Sequence, residues 1–152
     1  MRRLWSTGEL EERWSLAPDD LALLVGHSDA GKLGLACQLA FWRAYGCFPE
    51  EEADLAPAVI VHLAAQIGVP AETIENYVFS SRSARRHRKV MLDHLAVRDF
   101  DAAAKAAFHT WFRSELLPRE PSPAVLEEEV NAWFARERTA RPGGYRLDRL
   151  MR

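Results

Sequence analysis

Eight residues of the chain carry most of its chemical character: Arg82-Ser83-Ala84-Arg85-Arg86-His87-Arg88-Lys89. If they are helical, the 100° step per residue puts Arg85, Arg86 and Lys89 on one broad face. Ala84, Met91 and Leu95 fall on the opposite face. The segment opens with Ser80-Ser81-Arg82-Ser83, where the free N–H groups and dipole of a helix start also attract phosphate. Such a surface breaks no bonds. It holds a polyanion, so Arg82, Arg85, Arg86 and Lys89 are read as contacts to DNA phosphate. Arg88 projects toward the apolar side and is read as structural.

The segment before it has helix-turn-helix spacing. Ala64 is followed by Gly68 four residues later and by Ile74 six further on. A small residue lets the second helix approach, and Gly68 supplies a tight left-handed turn. The second helix, Pro70 to Asn76, contains no Lys or Arg. It cannot hold phosphate itself, but Thr73 and Asn76 can reach base edges, as can His87 on the next helix. A plain helical corner has the same spacing.

Other groups drop out. Gly26-His27-Ser28-Asp29-Ala30-Gly31-Lys32-Leu33 imitates a phosphate-binding loop, but Leu33 stands where a hydroxyl must hold magnesium. No nucleotide is expected there. His27, His62, His87, His94 and His109 show no metal-ligand spacing, so neither metal nor cofactor is expected. Cys37 and Cys47 make no disulfide framework and are read as inert thiols of a reduced, cytoplasmic chain. No acid is singled out by spacing, and no catalytic residue is nominated. A second basic stretch, Arg136, Arg138, Arg141, Arg146, Arg149 and Arg152, is partly offset by Glu137 and Asp148.

The formal charge of the 152 residues is −2, but its distribution is uneven. Residues 1–79 carry 5 Lys/Arg against 12 Asp/Glu, while residues 80–98 carry 6 against 1. Positive charge is thus concentrated where the candidate interface lies.

The elements that must position these residues read as helix throughout. Ser6-x-x-Glu9 has capping-box spacing, Pro18 opens a short helix, and a largely apolar helix runs from about Ala30 to Tyr45 before Gly46. Pro57 opens a helix that Gly68 ends. Helices follow over about 71–77 and 83–95, from Asp99 or Asp101 to Leu116, and after Ser122-Pro123. A last amphipathic run, Tyr145–Arg152, looks cut short, as if the chain were the front piece of something longer. The expectation is one all-α domain of about seven helices over 1–152, containing a helix-turn-helix-like unit at 57–77. The start, Met1-Arg2-Arg3-Leu4-Trp5, turns acidic at once and has no secretion signal, and no membrane span is expected.

The ordered set of segments resembles the N-terminal domain of the large replicative transposases of the Tn-three type. The resembling stretches are Lys32-Leu33-Gly34-Leu35-Ala36 running into Phe41-Trp42, Phe48-Pro49, Gln66-Ile67-Gly68-Val69-Pro70, Ser83 to Arg88, and Glu115-Leu116-Leu117-Pro118-Arg119-Glu120. The resemblance implies a domain that binds the terminal inverted repeats of a transposon as duplex DNA. Strand transfer in that family belongs to an RNase-H-like domain absent from these residues, so no enzymatic activity is expected. The rest of a transposase, or a second copy, is a further expected partner. The alternative is an assembly module or a helix-turn-helix regulator whose basic helix docks an acidic protein surface.

Overall fold

The computed structural model describes residues 4–152. Met1, Arg2 and Arg3, the start of the N-terminal stretch read above, lie outside them. Helix dominates. The β-structure among the described residues is one isolated bridge between Arg98 and Thr139. The all-α expectation therefore holds.

The helices are α1 (Thr7–Arg13), α2 (Pro18–Ala22), α3 (Asp29–Tyr45), α4 (Pro57–Ile67), α5 (Arg82–Leu95), α6 (Ala102–Trp111), α7 (Pro123–Arg136) and α8 (Gly144–Leu150). Their starts follow the local chemistry. Ser6, Ser28, Asp101 and Ser122 each accept a hydrogen bond from the N–H three residues on, satisfying a donor that the helix itself leaves unpaired. Gly46 and Gly68 end α3 and α4 at φ +74°, the left-handed conformation that costs glycine least.

The chain groups into two compact units, one ending at Met91 and one from Leu92 to Arg152. In the first, α3 is the central element. Every residue from Leu33 to Ala40 is buried, and α3 packs against α4 and against the turn that follows α4. A buried carboxylate serves this packing. Asp20 accepts the Ala17 N–H, and a two-pronged pair from Arg43 of α3 neutralises it at 2.5 and 2.7 Å.

The second unit is built on an aromatic cluster. Phe108, Phe112, Trp133 and Phe134 pack with Leu116, Val130, Leu147 and Leu150. The helix expected to run to Leu116 changes pitch, with a π turn over Phe112–Leu116 and a 3-10 turn over Leu117–Arg119. Ala96 and Arg138 both take a left-handed φ, +54° and +47°. The Arg138 side chain donates to the Ala96 and Leu95 carbonyls, capping the C-terminal end of α5. Arg138 thus leaves the list of basic residues open to a partner.

Candidate nucleic-acid interface

The corner after α4 differs from a full helix-turn-helix. Gly68 makes the expected turn and Ala64 is buried, but residues Ala71–Asn76 form a six-residue 3-10 helix, not an α-helix. Pro70 starts it, and the Thr73 hydroxyl turns back onto the Pro70 carbonyl at 2.7 Å. Tyr77 then leaves the helix in an extended conformation, and its ring lies against Gly34 of α3 with the hydroxyl within hydrogen-bond distance of His87 of α5. A single short stretch of 3-10 pitch stands where a helix-turn-helix places its recognition α-helix. Asn76 remains exposed and Thr73 half-exposed.

The next long helix, α5, presents the basic face. Ser81 caps it, its Oγ accepting the Ala84 N–H at 3.1 Å. Arg82, Arg85, Arg86 and Lys89 are exposed, while Ala84 and Met91 are buried on the opposite face. Arg86 donates to the neighbouring Ser83 hydroxyl, at 3.2 Å.

Arg88 faces inward, as its position on the helix predicts. It donates to Gln38 Oε1 of α3 at 2.9 Å and to the Phe79 carbonyl at 3.0 Å. Gln38, fully buried, passes the interaction on. Its Nε2 donates to the Tyr77 hydroxyl at 2.8 Å, and that hydroxyl lies 2.7 Å from His87 Nδ1. Burial pushes the Tyr77 phenol up to about 12, against smaller opposing effects of the Gln38 hydrogen bond and the Arg88 charge, so it remains protonated. Burial, followed by the fields of His27, Arg86 and Arg88, holds the His87 imidazole below its ordinary value, which favours the neutral ring.

This relay locks α5 onto α3 and requires Gly34. A Cβ on Gly34 would lie 2.3–2.4 Å from the Tyr77 ring carbons. Only a residue without a side chain lets that ring lie flat on α3. The relay also changes the reading of His87. It was expected at a base edge, but it is 9 % exposed and is held by Tyr77. Its spacing shows why: residues 84, 87, 88 and 91 are i, i+3, i+4 and i+7 on one helix, the buried stripe of α5.

The structure brings Asn76, Arg86 and His87 around one hollow of about 660 Å³ and leaves Thr73 outside its lining. A second basic hollow, of about 390 Å³, lies in the second unit. There Lys105 and His109 of α6 meet Arg146 and Arg149 of α8 and Arg152, with Asp101 the one acid in the lining. The C-terminal arginines were visible in the sequence. Their convergence with Lys105 and His109 was not, because it depends on how α6 and α8 pack.

Elsewhere the chemistry is quiet. The Cys37 thiol is buried and pushed up to about 12 by desolvation, aided by Glu52, which keeps it protonated and unreactive. No group of three or more metal-ligating side chains comes together among the described residues. Gly31 and Lys32 lie in the first turn of α3 and follow a cap, not a strand. Among the described residues no helix is long and apolar enough to cross a membrane.

An all-helical chain with a cationic helix clamped to its core is the class that the fold and site define. The chain belongs to the family described as Domain of unknown function (DUF4158), which matches residues 1–152. No curated protein matches it.

Proposed function

We propose that this domain binds duplex DNA at the terminal inverted repeats of a transposon, as the non-catalytic N-terminal part of a cytoplasmic transposase of the Tn-three type. The observation that carries the reading is the division of labour on α5. Arg88 is anchored to Gln38 and Phe79, while Arg85, Arg86 and Lys89 stand exposed on the other face. Anchoring matters because flexible cations lose side-chain entropy when they dock, whereas a fixed helix presents its charges in register with a repeating phosphate backbone.

In this reading Arg82, Arg85, Arg86 and Lys89 contact phosphates and set position. Asn76, exposed at the edge of the same hollow as Arg86, reaches a base edge, with Thr73 beside it. The order of resembling segments along nearly the whole chain supports the transposase assignment. The test is binding of the chain to a terminal-repeat duplex and to a scrambled duplex at two salt concentrations. Preference for the repeat at both salts is expected. Equal binding to both would reduce the function to charge attraction, and the assembly-module reading would replace it.

A further inference from the structure

We propose that the hollow between α6 and α8 is a second seat for the DNA backbone, taking a short run of adjacent phosphates in addition to those held by α5. This extends the DNA-binding reading to the second unit and rests on it for the identity of the polyanion.

The positive charge of this region is sorted, not in excess. Residues 99–152 carry nine Lys/Arg and nine Asp/Glu. Four of those cations, Lys105, Arg146, Arg149 and Arg152, line one hollow of about 390 Å³ together with His109 and a single acid, Asp101. Packing puts them there. Lys105 and His109 stand one turn apart on α6, whose Ala104 and Phe108 are buried. Arg146 and Arg149 stand one turn apart on α8, which Leu147 and Leu150 fasten to the aromatic cluster. Cations distant in sequence thus line one space.

The protein does not neutralise this cluster itself. Asp101 is committed to the start of α6, where its Oδ1 accepts the Ala104 N–H at 2.8 Å. Among the described residues no side-chain hydrogen bond or ion pair engages Lys105, Arg146, Arg149 or Arg152. Other cations of the same unit have partners: Arg119 pairs with Glu129 at 3.6 Å, and Arg138 caps α5. Four permanent positive charges against one carboxylate leave three uncompensated around the hollow. Like charges gathered in this way repel one another and raise the local potential for an anion. The count also selects the anion. A free phosphate ion leaves part of that charge uncompensated, as does one carboxylate, whereas a nucleic-acid strand brings one charge per phosphate, in series. Arginine forks match phosphate oxygens two at a time. Phe100, Pro142 and Leu150 supply an apolar wall for the sugars between the phosphates.

The experiment is duplex binding by the full chain and by the double variant Lys105→Gln, Arg149→Gln, with NMR of the His109 ring as a reporter inside the hollow. Both replaced side chains are exposed, so the fold, checked by circular dichroism, should persist. Loss of two phosphate contacts is expected to flatten the slope of log affinity against log salt by about two units. Raising salt from about 50 to about 200 mM should then weaken the variant about tenfold less than the unaltered chain. Duplex is expected to shift the His109 resonances saturably, and polyglutamate of equal charge to shift them far less. If the double variant loses helicity, Arg149→Gln alone carries the same test, with a slope flatter by about one unit. An unchanged slope, or a His109 indifferent to a duplex that binds, overturns the seat and leaves DNA binding by α5 standing. Polyglutamate acting as strongly as duplex assigns the hollow to an acidic protein and overturns the nucleic-acid seat. Inorganic polyphosphate that shifts His109 in a chain that binds no duplex keeps the anion chemistry, and it overturns both the DNA source and the proposed function.

Discussion

Replacing Gly34 by alanine adds a single methyl group, and the structure predicts that this methyl loosens the interface scaffold. In most helix interiors Gly→Ala stabilises by about 1 kcal/mol. Here the new Cβ would meet the Tyr77 ring at 2.3–2.4 Å, where ordinary contact begins near 3.4 Å. The ring must retreat by about an ångström, and the atoms struck belong to a buried ring, not to a mobile tip. Overpacking of this kind costs about 1–3 kcal/mol. Moving the ring also strains the hydrogen bonds to Gln38 and His87, worth about 1 kcal/mol each. With both hydrogen bonds lost, the sum against the helix-propensity gain is a net loss of about 2–4 kcal/mol. Urea denaturation followed by circular dichroism reads it, with Gly8→Ala in α1 as control, since nothing lies within 4 Å of a Cβ there. Gly34→Ala at or above native stability would refute the packing of Tyr77 on α3 and the relay built on it.

Arg88→Leu leaves Gln38 Oε1 buried without its donor and should cost about 1–3 kcal/mol, whereas Arg85→Leu, on the exposed face, should stay within about 0.5 kcal/mol in the same denaturation assay. The native imidazole of His87 titrates below its ordinary 6.5, so the unfolded chain binds more protons than the native one as pH falls past that value. Its contribution to stability is complete above about pH 6.5 and is lost on acidification from there. A His87→Gln variant should show a shallower fall in melting temperature between about pH 6.5 and 5, above the range where carboxylates dominate. An equally steep fall would assign the acid sensitivity to other groups. At Ala96, φ +54° is strained for any residue with a Cβ, so Ala96→Gly should stabilise the second unit by about 1 kcal/mol, readable as a raised melting midpoint.

Much of this architecture was written in local chemistry. Ser6, Ser122 and the glycines at 46 and 68 mark helix ends because they satisfy or relieve the backbone within three or four residues. The wheel of α5 separated Arg88 from Arg85 and Lys89 because amphipathic spacing needs no knowledge of the partner surface. What stayed hidden depends on contacts distant in sequence. Gln38 and Tyr77 are 39 residues apart, Gln38 and Arg88 are 50 apart, and nothing in the spacing of either pair announces a hydrogen bond. Gly34 reads as an ordinary small residue in an apolar helix until the Tyr77 ring is seen against it. His87 was legible but misread: its charge-bearing neighbours drew it to the exposed face, while its i+3 relation to Ala84 places it on the buried one. The 3-10 pitch of 71–76 escaped because apolar spacing over six residues does not separate 3-10 from α pitch.

The salt dependence of duplex binding by the triple variant Arg85→Ala, Arg86→Ala, Lys89→Ala tests the central claim most directly. Each lost phosphate contact removes close to one unit from the slope of log affinity against log salt. All three side chains are exposed, so the fold, checked by circular dichroism, should persist. The account predicts a slope flatter by about two to three units, with repeat and scrambled duplex weakened alike. A folded triple variant with an unchanged slope would contradict it and move the interface away from α5, with the Lys105–Arg146–Arg149 hollow the next surface to test.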